Sequence, residues 1–274
     1  MIPQAYRQHY AVGAFNVTNI ETTQAVISAA EELKSPVIVQ TSEKALDYAG
    51  FDNLVGIVLG MAKKSTVPVV VHLDHGRSVD IAKKCLTAGY SSVMIDLNKL
   101  PFADNLSRTI EIVKIAKQYG ASVEAELGGI MGREDYVKNS APRLTDVGEA
   151  VQFVQRSGAT VLAVGIGNAH GVPMANEKLH FDILEKIQKA TNFPLVLHGA
   201  SSTAASEITK AIRLGVVKIN IDTDIRLAFS TALRKFMHAN PDIYDTREII
   251  GAGREAIYHV VAKKISIFNS IGKA

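Results

Sequence analysis

Tryptophan is absent from this chain of 274 residues, cysteine occurs once, and aromatic residues make up only 6%. The lone Cys85, set in a stretch that reads as helix, excludes a disulfide framework and a cysteine-built zinc site. It fits a reducing compartment, so a cytoplasmic location is expected. Neither sign of charge is in large excess: the formal net charge is +3, with no basic block and no interleaving of basic with aromatic residues. Nucleic acid and membrane surfaces find little to hold, and small solutes are the expected partners. Long hydrophobic runs are missing as well. LVGIVLGMA, residues 54–62, is among the longest and falls well short of the roughly 20 residues that span a bilayer. The first residues carry no signal-peptide core, and no Ser/Gly-rich linker or low-complexity tract divides the chain.

What the chain does have is a repeat of apolar, β-branched runs separated by amphipathic stretches. Eight runs read as strands: VGAFNV (12–17), PVIVQT (36–41), PVVVHLD (68–74), SVMID (92–96), ASVEAEL (121–127), TVLAVG (160–165), PLVLHG (194–199) and VVKINI (216–221). Between them, ETTQAVISAAEELK and LSRTIEIVKIAKQYG space their apolar residues three and four apart, as a helix with one buried face requires. Pro36, Pro68 and Pro194 stand at strand starts, where a missing N–H is tolerated, and Gly89, Gly120, Gly158 and Gly215 follow helices in cap positions. Eight such units close a (β/α)8 TIM barrel, expected here as a single domain over residues 1–274 with a helical tail from about residue 240. An open doubly wound sheet would carry a glycine-rich phosphate fingerprint after an early strand, and GAFNVTN lacks one.

In such a barrel the side chains at the carboxyl ends of the strands meet on one rim. The stretch VVVHLDHGRS (69–78) is the plainest case, an apolar strand that ends in His72, Asp74 and His75. A charge in that position is costly unless it is paired or bound to a metal. His75, His170 and His198 come from the third, sixth and seventh strand units, each followed by glycine. Three imidazoles with an open fourth position suit a catalytic zinc. His72 reads as a core or supporting residue, and His9, His180, His238 and His259 as ordinary ones. Asp74 is placed to act as a base, and Asp96 and Glu126 to orient ligands or hold a second cation. Ser201 and Thr223, in HGASS and NIDTD, suit phosphate binding at helix N-termini, although helix capping by Ser202 and Thr223 needs the same residue types. Arg226, Arg247 and Arg254 lie beyond, as candidates for clamping a second anion. Lys218 on the eighth strand offers a Schiff-base alternative to the metal. The segment LGGIMGREDYVKNSAPRL (127–144) is far longer than most βα loops and is expected as a mobile lid.

With HLDHG followed in order by GNAHG and PLVLHGAS, and with GAFNV, PVIVQTS, VMID, EAELG, KINIDTDIR and AKKISIFNSIGKA in support, the sequence resembles a known family. It is similar over nearly its whole length to the class II, metal-dependent fructose-bisphosphate aldolases and their relatives the tagatose-bisphosphate aldolases. The resemblance implies reversible aldol cleavage of fructose 1,6-bisphosphate to dihydroxyacetone phosphate and glyceraldehyde 3-phosphate. Tagatose 1,6-bisphosphate cleavage and a non-catalytic sugar-phosphate-binding barrel are the alternatives. It further implies that His75, His170 and His198 bind Zn2+ or another divalent ion, with a monovalent cation as a further candidate. Asp74 would exchange the proton on the C4 hydroxyl, and Glu134, in the long loop, the proton on C3. Asp96 and Glu126 match positions around the metal, and Gly171, Gly199, Ser201, Asp222 and Thr223 match the triose-phosphate pocket. Asn220 matches a contact to a substrate hydroxyl, and Asn16 and Ser42 match polar rim residues. Arg226 and Arg247 resemble residues that hold the distal phosphate, one from a neighbouring subunit, so a homodimer or homotetramer is implied. The chain departs from the family pattern at Met131-Gly132, at Ala200-Ser201-Ser202, at Asp245-Thr246-Arg247, and at Pro173-Met174, where a Tyr-Lys pair is usual.

Overall fold

The structure, a computed structural model, describes residues 1–134, 137–139, 143–171, 178–201 and 203–274, with the side chains of residues 131, 133, 134 and 137–139 excepted. Eight parallel strands close a barrel: β1 (Val12–Asn16), β2 (Val37–Ser42), β3 (Val69–Gly76), β4 (Ser92–Ile95), β5 (Ser122–Leu127), β8 (Val161–Val164), β10 (Leu195–Leu197) and β11 (Val216–Ile221). These are the eight runs expected from the sequence. Each is buried on both faces, which is why Val- and Ile-rich runs rather than alternating patterns mark them. Around the barrel lie α2 (Ile20–Glu32), α3 (Glu43–Ala49), α4 (Phe51–Lys64), α5 (Val79–Ala88), α6 (Phe102–Gln118), α7 (Val147–Ser157), α8 (Phe181–Thr191), α9 (Ala205–Arg213), α10 (Thr223–Ala239) and α11 (Thr246–Ile267), while α1 (Ile2–Gln8) precedes β1. Local chemistry sets several helix ends. Asn19 and Thr22 form a reciprocal capping box at the start of α2, and α5 and α7 end on Gly89 and Gly158 in the left-handed region.

The core has two parts. A large cluster fills the space between strands and helices, and a smaller one, including Val12, Ala14, Ile38, Val161, Ala163 and Val196, lies with Ala5 and Tyr10 beside α1. Successive side chains of a strand point to opposite faces, so the alternate residues of each barrel strand form a column. Along β1 the column reads Val12, Ala14, Asn16; along β2, Ile38, Gln40, Ser42; along β3, Val70, His72, Asp74. Each column starts apolar and turns polar toward the carboxyl end.

The segment after β5 differs from the long irregular turn expected. It forms a hairpin of β6 (Met131–Glu134) and β7 (Val137–Asn139), antiparallel to each other, and β6 also pairs in parallel with β9 (Ala169–His170). A bridge between Gly129 and Arg143 closes the base of the hairpin. Backbone pairing, rather than apolar patterning, makes these strands, which is why the sequence gives little sign of them. Residues 135–136 and 140–142 of the expected lid lie outside the described residues.

The tail is helical: α11 packs along α10 and α2, and Gly253 permits the close crossing, since a Cβ there would lie 2.3 Å from Leu233 and 2.4 Å from Phe229. Near its end, the buried Lys264 donates to the carbonyl of Ser201 (2.6 Å) and pairs with Asp224 (2.6 Å). The tail thus ties the loop after β10 to the first turn of α10.

Replacing Lys264 with Met should cost about 1.5–3 kcal/mol, the scale for a charge-assisted hydrogen bond. Urea unfolding should show a lower midpoint with an unchanged slope. Burial pushes the Cys85 thiol up to about 12. The folded protein should therefore leave an aromatic disulfide reagent unreacted at pH 8, and denatured protein should release one equivalent of thiol per chain.

Candidate active site

The rim begins with an irregularity. His72 and Leu73 of β3 face Ser92 and Val93 of β4, but Gly76 faces Ile95, so β3 holds one extra residue across that interval. Adjacent residues on a regular strand point to opposite faces, and this bulge lets Asp74 and His75 both serve the rim. His75 has φ 47°, a left-handed conformation that costs a side-chain-bearing residue roughly 1–3 kcal/mol and is usually retained for a functional reason. Gly76 closes the bulge. A Cβ there would lie 2.7 Å from the carbonyl oxygen of Met94.

His75, His170 and His198 converge. Each offers one ring nitrogen, all within 4.8 Å of one another, and the ring centroids are 4.7–6.0 Å apart. His75 Nε2 and His198 Nδ1 are 2.9 Å apart. The outward nitrogens are held by carboxylates: His75 Nδ1 by Asp96 Oδ2 at 2.8 Å and His198 Nε2 by Glu124 Oε1 at 2.7 Å. His170 sits on β9, and the glycines around it serve close backbone approach. A Cβ on Gly132 would fall 2.0 Å from His170 O, and one on Gly199, at φ 63°, 2.2 Å from Ala169 O.

Asp74 is fully buried between two amides, accepting from Asn16 Nδ2 at 2.8 Å and Asn220 Nδ2 at 3.1 Å. Gln40 donates in turn to Asn16 Oδ1 at 2.7 Å, and Ser42, beside Asp74 in the β2–β3 register, caps α3. Asp96 and Glu126 form a second group with His75 that has the makings of a cation site. Burial acts to raise the Asp96 carboxyl, but the hydrogen bond from His75 and the electrostatic pull of that ring outweigh it and hold it low. Burial and the neighbouring Asp96 push Glu126 well up instead. Glu126 Oε2 is buried without a hydrogen-bond partner among the described residues, while Oε1 accepts from Asn98 at 2.5 Å.

Beside His170 opens a cavity of about 320 Å³, lined by Gly171, Gly199, Ser201, Asn220, Asp222, Thr223 and Arg226, all singled out from the sequence. Leu227 and Ser230 line it too, one turn further along the same face of α10; their helical spacing from Thr223 was the available signal. Arg226 is held by Asp222, its Nε 2.6 Å from Oδ1. Arg247 is not brought to this rim. It is 89% exposed, paired with Asp245, and lines a separate cavity of about 920 Å³ with Arg254 and Tyr258. Glu134 has its backbone in β6, and its side chain, with Ser202, Pro173 and Met174, lies outside the described residues.

Glu124, Lys218 and Asn98 were the residues whose part the sequence reading missed. Lys218 is buried with Nζ 2.8 Å from Glu124 Oε2, so its amine is engaged by a carboxylate inside the barrel, which counts against the Schiff-base alternative. Burial acts against the charge on Glu124, but Lys218 and His198 more than offset it and keep the carboxyl well below the usual range. Burial, and then the charge of Lys218, push His72 well down; burial also lowers His198. The available signal was a Glu and a Lys in the middle of two strands too apolar to leave either unpaired.

Comparison with known proteins agrees with this geometry. A family model described as "Fructose-bisphosphate aldolase class-II" matches residues 1–273. Fructose-bisphosphate aldolase from Geobacillus stearothermophilus is 44% identical over 277 residues, covering 100% of this chain and 96% of the relative. Sulfofructosephosphate aldolase from Alkalicoccus urumqiensis is 39% identical over 276 residues, with coverage of 100% and 96%. Among solved structures, the YdjI aldolase from Escherichia coli K12 superposes with a TM-score of 0.87 at 37% identity, covering 99% of this chain and 96% of that one. Rim geometry and full-length match lead to one conclusion: the chain is an enzyme of the class II fructose-bisphosphate aldolase family, a carbon–carbon lyase built on a (β/α)8 barrel.

Proposed function

We propose that the enzyme cleaves fructose 1,6-bisphosphate reversibly into dihydroxyacetone phosphate and glyceraldehyde 3-phosphate, with a zinc ion held by His75, His170 and His198. The convergence of three imidazole nitrogens within 4.8 Å of one another carries this reading. The donor set fits the ion: three ring nitrogens, two of the rings fixed by carboxylates behind them, with a rim position left for substrate. Zinc bound there would supply electrostatic stabilisation of the negative charge that develops on the ketone side of the substrate. The orphaned Glu126 Oε2, with Asp96, supports a second cation or an ordered water beside His75.

The chain's own groups do the rest. Asp74, aimed by Asn16 and Asn220, takes the proton of the C4 hydroxyl as the C3–C4 bond breaks. The C4 carbonyl forms, and the bonding pair remains with the three-carbon ketone fragment. Glu134 of the hairpin returns a proton to C3. The backbone N–H groups at the start of α10, with Ser201 and Thr223, suit the phosphate of that fragment in the 320 Å³ cavity. Ser42 and Arg226 contribute on the substrate side, and Arg247 would serve the rim of a neighbouring subunit in a homodimer or homotetramer. The family's phosphate lysine has no counterpart at Met174. Among the described residues no helix is long and apolar enough to cross a membrane, and a cytoplasmic setting accords with that.

A chelator should abolish cleavage and added zinc restore it, whereas borohydride with substrate should leave activity intact. Lys218 trapped by borohydride would overturn the reading. Asp74→Ala should lower kcat by about 10²–10⁴ with zinc content retained; full turnover would remove the base assignment. Comparing fructose with tagatose 1,6-bisphosphate in one coupled assay tests the substrate. Gly76→Ala should distort the bulge through the Met94 carbonyl and loosen His75, with zinc affinity falling about tenfold or more while the circular dichroism spectrum stays native.

A further inference from the structure

Glu124 transfers no proton in the chemistry above, yet it is among the most enclosed carboxylates at the site and lies directly behind His198. We propose that Glu124 is a positioning residue for His198: it accepts the Nε2 proton of the ring and so leaves Nδ1 as the coordinating nitrogen, with Lys218 fixing the carboxylate. The inference rests on the zinc reading of the three histidines.

The geometry is reciprocal. Asp96 Oδ2 lies 2.8 Å from Nδ1 of His75 and leaves Nε2 facing inward; Glu124 Oε1 lies 2.7 Å from Nε2 of His198 and leaves Nδ1 facing inward. The two inward nitrogens are the pair 2.9 Å apart. A histidine ring has two nitrogens, and the hydrogen bond on one decides which is free to coordinate.

Lys218 fits the same purpose. Its Nζ is 2.8 Å from Glu124 Oε2, and the pair crosses the barrel, since β5 and β11 are separated in the sheet by β8 and β10. His72 completes the arrangement, with Nε2 3.5 Å from Lys218 Nζ and 3.6 Å from Glu124 Oε2, and Nδ1 2.8 Å from the Ser92 hydroxyl. A buried ion pair is often replaceable by apolar side chains with no loss of stability, so stability is a poor reason to keep one here. A fixed acceptor behind a metal ligand is a better one.

The test uses paired replacements that leave the net charge of the barrel unchanged. Glu124→Leu with Lys218→Met removes both charges together and the acceptor with them. Zinc affinity, measured by competition with a chromophoric chelator on metal-free protein, should fall 10- to 100-fold, with a native circular dichroism spectrum. Glu124→Gln with Lys218→Met restores an acceptor oxygen and should recover part of that loss. Wild-type affinity in the Leu/Met protein, or no recovery in the Gln/Met protein, overturns the inference. A merely structural pair would move the melting temperature and not the affinity. Ring ¹⁵N shifts of zinc-loaded wild-type protein decide the matter without any variant: Nε2–H on His198 supports the assignment, and Nδ1–H overturns it. A wild-type protein that binds no zinc would instead sink the zinc reading itself.

Discussion

A closed parallel barrel sends every second side chain of each strand into its lumen, and the chemistry of this enzyme follows from where along the strands that inward series turns from apolar to polar. Near α1 the lumen is filled by Val, Ala and Ile. One step up, Gln40, His72, Glu124 and Lys218 occupy the positions a simple barrel would give to aliphatic side chains. At the top stand Asn16, Asp74, His198 and Asn220. The site is therefore the upper end of the core, not a decoration on it.

That arrangement places charge where solvent cannot reach. An isolated buried ion would be costly, and the structure avoids isolated ions by linking each to the next. Glu124 pairs with Lys218, Asp96 with His75, and Asp74 lies between two amides. Glu126 is the departure: one oxygen accepts from Asn98, the other has no hydrogen-bond partner among the described residues, and its carboxyl is pushed up by burial and by Asp96. Burial and Asp96 thus disfavour the charge on Glu126 where the neighbouring carboxyls have theirs matched.

The strands were legible because burial on both faces demands unbroken Val and Ile, and the rim residues because each is the last inward position of such a run. Arg247 and the hairpin were less so, for physical reasons. MGRE has no apolar period, since β6 is held by backbone pairing with β7 and β9. The register shift that turns Asp74 and His75 to one rim depends on β4, twenty residues away, and nothing in HLDHG announces it. The Glu124–Lys218 pair needs the barrel closed before the two meet. Arg247 reads as a clamp in the sequence, but α11 carries it away from its own chain's rim.

His170 is carried by β9, a strand outside the barrel. His170 ends the two-residue strand β9, which pairs with β6 through Met131 opposite Ala169 and Gly132 opposite His170. Two further contacts locate this segment: Asn168 Nδ2 donates to His198 O at 2.9 Å, and Gly199 lies so close to Ala169 that a Cβ would not fit. The segments bearing His170 and His198 are thus tied through the Asn168 side-chain amide, and the strand bearing Glu134 is hydrogen-bonded to the strand bearing His170. Glu134 and His170 thus lie on strands of one small sheet, in which β6 joins β7 on one side and β9 on the other through backbone pairing.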